Sequence, residues 1–167
     1  MKPGRRFDLR RLLLWPAMLS GLATPVCHAV FLGSCSVPPV AVNLGPYSPL
    51  AGSALTAQST LTLNCNAGVS LNASVGISFS GGLSGNALTR SLKQGGHSLA
   101  YNLYTSNLYT EILGDGSGGT SRLTGTIQVQ QLFSSTQSWT IYARLPAGQV
   151  VPAGAYADNV SITVTID

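Results

Sequence analysis

The residues that could do chemistry are few, and none has a companion. His97 lies in the polar run "KQGGHS". An imidazole acts as a general base or metal ligand when another imidazole, thiol or carboxylate is in reach. No such group stands at ligand spacing from His97, and a surface turn accounts for it. "GDGSGG" at 114–119 has the glycines of a calcium loop, but a calcium site needs several oxygen ligands at fixed offsets, and Asp115 is the sole carboxylate there. A tight turn between strands explains it with less. The tyrosines at 101, 104, 109, 142 and 156 could form a sugar- or surface-binding face, each offering a large ring and a polar tip. Period-two alternation sends Tyr101 inward and Tyr104 outward, so some are core. Tyr156 is placed to cap a loop through its hydroxyl. In a chain with only 8% charged residues, Arg90 or Arg144 is expected to pair with Asp158 and hold the start of the last strand. These residues supply no tuned acid or base, no metal-ligand spacing and no cofactor motif. The chain is not read as an enzyme, and no cofactor is expected.

Lys2, Arg5, Arg6, Arg10 and Arg11 precede the apolar stretch "LLLWPAMLSGLA", which gives way to small residues near "CHA". That order predicts a secretory signal peptide over residues 1–29, with cleavage after Ala23 as the second choice. The apolar part is too short to span a bilayer. Without residues 1–29 the chain keeps Arg90, Lys93, Arg122 and Arg144 against Glu111, Asp115, Asp158 and Asp167, a formal charge of zero. The basic isoelectric point therefore belongs to the leader, and no basic patch remains for nucleic acid. Residues 30–167 amount to one domain, large enough for a real core. Cys27 leaves with the leader, and Cys35 and Cys65, an even pair in an oxidising compartment, are expected to form a disulfide.

Strands must position whatever this domain does. Short runs of alternating apolar and polar residues, separated by glycine, proline, asparagine and serine, predict an all-β sandwich. The runs are 40–44, 61–65, 75–79, 99–104, 125–133 and 138–145, and the last, at 160–166, sets Val160, Ile162, Val164 and Ile166 on one face. The disulfide should tie the first strand to the second. An uncovered apolar edge on the last strand would invite pairing with another chain, while the plainer alternative is an outer strand facing water.

"CSVPPVAVNLGPYSPL" at 35–50, "STLTLNC" at 59–65, "TRSLKQGGHSLAYNLYTS" at 89–106, "GDG" at 114–116 and "IYARLPAGQVVPAGAYADNVSITVTI" at 141–166 together resemble the spore coat protein U domain family. Its members include subunits of archaic chaperone-usher pili. Leu44 and Leu113 replace the aromatic residues usual at those places, which alters packing more than fold. The resemblance implies an immunoglobulin-like sandwich, incomplete and lacking its final strand. A periplasmic chaperone would lend a strand during export through the periplasm, an outer-membrane usher would pass the subunit on, and a sibling pilus subunit's N-terminal segment would replace the lent strand in the fibre. Strand addition of this kind combines main-chain bonds with alternate side chains set into a groove, here with Val160, Ile162, Val164 and Ile166 as groove candidates. The expected function is that of a structural subunit of a secreted surface fibre assembled by donor-strand complementation, with adhesion and biofilm formation as its outcome. Cleavage after Ala29 would leave five residues before Cys35, a poor donor arm, and so favours a receiving subunit. Cleavage after Ala23 would leave a weak donor with Val26, His28, Val30 and Leu32 on one face. The alternatives are an adhesive or carbohydrate-binding module gripping a glycan or abiotic surface, and a self-contained secreted coat protein.

Overall fold

Threonine, valine and isoleucine in alternation with small polar residues favour a pleated, half-buried backbone over a helix, and strands dominate the fold. The structure, a computed structural model, describes residues 33–130 and 133–167. The expected leader, Cys27 and the weak donor segment lie outside the described residues, as do Gln131 and Leu132. The strands are β1 (Gly33–Ser36), β2 (Leu55–Ala67), β3 (Leu71–Phe79), β4 (Ser91–Gln94), β5 (His97–Ala100), β6 (Asn102–Tyr104), β7 (Leu123–Val129), β8 (Ser134–Leu145) and β9 (Ile162–Ile166). Two single-turn 3-10 segments, Gly82–Ser84 and Ala87–Thr89, join β3 to β4.

Two antiparallel sheets face one another in an open, incomplete sandwich. The first runs β1-β2-β8-β6 and the second β7-β3-β9, with β4 and β5 as a separate hairpin. The long β2–β8 ladder, from Leu55 opposite Leu145 to Asn66 opposite Ser134, is the spine of the first sheet. Its inward residues Leu61, Leu63, Ile141 and Leu145 meet Val75, Ile77 and Ile127 of the second sheet, all nearly inaccessible to water. Cys35 and Cys65 lie directly opposite one another in the β1–β2 ladder and are joined by a disulfide.

Three expected strands differ from those observed. The run at 99–104 is interrupted at Tyr101, whose amide bonds to the Arg90 carbonyl (3.1 Å), so it forms β5 and β6 with different neighbours. The run at 125–133 ends as a strand at Val129. The run at 40–44 is not a strand. Pro38 and Pro39 have no amide hydrogen to give to a ladder, so pairing with β2 stops at Ser36. Beyond them Val37, Val40, Val42 and Leu44 still alternate as half-buried residues against the core. A side-chain hydrogen bond from Ser59 Oγ to the Ala41 carbonyl (2.9 Å) keeps that segment beside β2.

Candidate functional site

The chain's last strand sits at the margin of its sheet. β9 pairs on one side with β3, Ile162 opposite Phe79, Val164 opposite Ile77 and Ile166 opposite Val75. Among the described residues no strand pairs with its other edge. The Val160, Ile162, Val164 and Ile166 side chains are half-buried against the core. Across from them runs the unpaired segment 37–47, and between the two walls is an open cavity of about 720 Å³. Val40, Val42 and Leu44 line one wall, Val160 and Ile162 the other, and Phe79, Leu103, Ile141 and Leu145 form the floor. Ile166 and Val164 lie further along the same strand, outside the cavity lining.

The wall from 151 to 157 is fixed to the β4–β5 hairpin. Lys93 and Ala157 exchange backbone hydrogen bonds (2.7 and 3.1 Å), and the Tyr156 hydroxyl donates to the Pro152 carbonyl at 3.0 Å, the loop-capping role its position suggests. On the opposite wall Gly45 takes φ 76°, a left-handed turn that glycine adopts without penalty, and the Tyr47 hydroxyl accepts a hydrogen bond from the Gln149 amide (2.6 Å).

At the end of the cavity Asp158 holds three elements together. It accepts from the Tyr101 hydroxyl (2.7 Å), from the Leu83 amide (2.6 Å) and from the Asn159 amide (2.8 Å). Burial pushes the Tyr101 phenol well above its usual range, and the hydrogen bond to Asp158 and that residue's charge add to the shift. Neither arginine makes the expected direct pair with Asp158. Arg90 is only 1% exposed, and its donors go to the carbonyls of Ser80 (3.0 Å from Nε), Ala87 (3.2 Å) and Leu113 (2.7 Å), and to Asn102 Oδ1 (2.9 Å). Burial lowers the Arg90 pKa, while the nearby Tyr101 and Asp158 oppose that effect. Backbone carbonyls thus take the guanidinium that the sequence assigns to a carboxylate. Arg144 is exposed, with its guanidinium carbon 5.5 Å from the centre of the Tyr109 ring.

The remaining candidates fall in separate places. His97 is exposed on the β4–β5 hairpin beside its glycine turn. Asp115 closes a local turn, accepting from the Ser117 amide (2.9 Å) and hydroxyl (2.7 Å), and these bonds lower its pKa. Among the described residues no three His, Cys, Asp or Glu side chains converge to hold a metal ion. Tyr101 is buried under the cavity, whereas Tyr104, Tyr109 and Tyr142 stand on the other face of the first sheet.

Alternation places β9 in the core but cannot show that a second wall, 37–47, faces it across an unfilled gap. The signal for that wall is Val37-Pro38-Pro39, an apolar alternation that begins where ladder donors are missing. Residues 22–163, nearly all of the described domain, match the Spore Coat Protein U domain. The chain belongs to that family. As a Spore Coat Protein U domain protein it is similar in fold to a chain of the CsuC–CsuE chaperone–tip adhesion subunit pre-assembly complex from archaic chaperone-usher Csu pili of Acinetobacter baumannii. The TM-score is 0.52 at 20% sequence identity over 80% of this chain. This chain spans 40% of that longer one. A search of curated proteins found no match.

Proposed function

We propose that this Spore Coat Protein U domain protein is a subunit of a secreted surface fibre, built by strand addition at the seam between residues 37–47 and β9. The observation that carries the reading is the seam itself. Two apolar walls, one of them a sheet edge without a partner strand among the described residues, flank a gap of about 720 Å³ over the core. An inserted strand would give β9 its missing main-chain hydrogen bonds and set alternate side chains onto the floor. Every 100 Å² of apolar surface covered contributes about 2.5 kcal/mol before the cost of ordering the added strand is subtracted. The fold likeness to a component of a chaperone–subunit complex supports a periplasmic chaperone as the first occupant and a sibling subunit as the second, with an outer-membrane usher between them. On this reading residues 1–29 direct export, cleavage after Ala29 makes the protein a receiver, and adhesion and biofilm formation belong to the finished fibre.

Affinity purification of the tagged protein from the periplasm and envelope of its native host tests the assignment, with partners and the mature N-terminus read by mass spectrometry. A chaperone or sibling subunit should co-purify and be lost from the Val164→Asp variant, while Thr163→Asp, a change on the outer face of the same strand, retains it. A folded monomer free of such partners in the wild type would contradict the proposal and favour a self-contained coat protein.

A further inference from the structure

The outer face of the first sheet takes no part in the seam, yet it gathers three half-buried tyrosines and an exposed arginine. Tyr142 and Arg144 point away from the core because they alternate on β8 with the buried Ile141, Ala143 and Leu145. The ladders set Tyr104 of β6 directly opposite Tyr142, with Gln58 of β2 on Tyr142's other side. Tyr109 comes from the loop that follows β6. Its ring meets Tyr104 edge to face, centroids 5.4 Å apart, and the Arg144 guanidinium lies over it.

Two features distinguish this patch from scattered surface tyrosines. Among the described residues Tyr109 alone, apart from glycines, has a positive φ, 55°, a conformation that bulky side chains seldom take and that tends to mark functional positions. The loop holds it there through Tyr109 N to the Ser106 carbonyl (3.2 Å) and Thr105 N to the Glu111 carbonyl (3.1 Å). The polar groups are also available. Among the described residues the hydroxyls of Tyr104, Tyr109 and Tyr142 have no hydrogen-bond partner and Arg144 has no carboxylate partner. Of the two acids between β6 and β7, Glu111 accepts from Thr105 Oγ1 (3.3 Å) and Asp115 from the Ser117 hydroxyl (2.7 Å).

We infer that this face binds an acidic glycan, a polysaccharide bearing uronic acids. A tyrosine ring offers the apolar side of a pyranose a rigid, amphipathic contact, and its hydroxyl can bond the sugar's own. The planar guanidinium of Arg144, already oriented by Tyr109, presents the forked donors that match a carboxylate. The surroundings favour a sugar over a second protein. Thr56, Gln58 and Thr140 border the rings, whereas a protein interface of this kind would have an apolar centre. Because the seam lies on the opposite side of the sheet, this inference does not depend on the fibre assignment, and bound glycan and added strand can coexist.

The test is binding of the purified full-length mature protein to immobilised polygalacturonate and hyaluronan, with fully methyl-esterified polygalacturonate as the uncharged comparison. The wild type should bind both uronate polymers and bind the ester at least fivefold more weakly. Arg144→Gln and Tyr142→Ser should each lose tenfold or more, and Tyr142→Phe, which keeps the ring, about threefold. All three variants should stay folded at the assay temperature; Arg144→Gln and Tyr142→Phe should keep the wild-type thermal midpoint, and Tyr142→Ser should lower it modestly because the half-buried ring pairs with Tyr104 across the ladder. Raising the salt from 50 to 500 mM should weaken binding a few-fold. Absence of binding to both uronate polymers, equal binding to the ester, or binding unchanged in Arg144→Gln would each overturn the inference. So would self-association of the wild type that Tyr142→Ser abolishes, which would assign the face to a second copy of the chain.

Discussion

Along the β6 margin of the sandwich, polar groups lock the two sheets to each other; along the β9 margin, polar bonds close only the ends of the gap, at Tyr47 and at Asp158, and among the described residues no backbone ladder spans it. On the first side Arg90 gathers carbonyls from the end of β3, the turn before β4 and Leu113, and reaches Asn102 of β6. Leu113 N bonds to the Leu103 carbonyl (2.9 Å), and Trp139 Nε1 donates to the Thr124 carbonyl (3.1 Å), tying β8 to β7. On the second side the walls are valines, leucines and isoleucines left half-buried, held apart by Pro38-Pro39 on one flank and by the 151–157 segment on the other. The same chain that closes one margin so completely leaves the other with apolar side chains and unpaired backbone facing each other. The contrast teaches that the opening is a local feature of one margin and not a general looseness of the fold, and it makes the two sides separately testable.

The largest effect on folding should come from the closed side. Arg90→Met would strand several buried carbonyls and Asn102 Oδ1, and a loss on the order of 4 kcal/mol is expected, read by urea denaturation. A change below 1 kcal/mol would show that the lock contributes little. Next comes the link between β1 and β2. Replacing Cys35 and Cys65 together with serine should cost about 3.5 kcal/mol, because the disulfide no longer restrains the unfolded chain across a sequence separation of 30.

Between the two margins stands the Tyr101–Asp158 contact, where pH gives a graded probe. In the folded protein Tyr101 ionises well above the usual tyrosine value, near 10 in an unfolded chain. The folded state therefore holds the proton more tightly. Its contribution is fully present below about pH 10 and is lost as pH rises above that value. Thermal midpoints measured from pH 7 to 11 should fall above pH 10 in the wild type. The fall should be shallower in Tyr101→Phe, which at neutral pH is less stable by about 1 kcal/mol. Asp158→Asn should also lower the midpoint, by weakening the acceptor shared by Tyr101, Leu83 and Asn159. The smallest effect on folding belongs to the open side. Thr165→Ser, on the solvent face of β9, should change stability by less than about 0.5 kcal/mol.

How much of this is legible in the sequence depends on how local the cause is. β2, β3, β8 and β9 are written in period-two alternation, and Leu61, Leu63, Ile77 and Ile141 lie in the core as that pattern requires. The gap at the seam is not written there. Whether Ile162 meets a sister strand or a cavity depends on where residues 37–47 run, and that follows from two prolines interrupting a ladder that alternation alone would continue. Arg90 is misread for a related reason. A lone cation in a charge-poor chain suggests an acid as its partner, but apart from the nearby Ala87 the carbonyls that surround it come from positions 10 to 23 residues away and converge only once β3, β6 and the segment at 113 are packed. The aromatic face is half legible. Alternation directs Tyr104 and Tyr142 outward, and only the β6–β8 register brings them side by side.

The central claim, that β9 is an edge awaiting a strand, is tested most directly by residue-resolved hydrogen exchange of its amides in the free protein and in complex with a co-purified partner. Hydrogen bonding between Ser74 and Asp167 and between Ser80 and Ser161 fixes which amides face β3. In that ladder Thr163 and Thr165 point toward β3, and Ile162, Val164 and Ile166 point toward the seam. The account predicts slow exchange at Thr163 and Thr165 in both states, with Ile162, Val164 and Ile166 fast alone and strongly protected in the complex. Protection of those three amides in the free monomer, or no gain on complex formation, would contradict it.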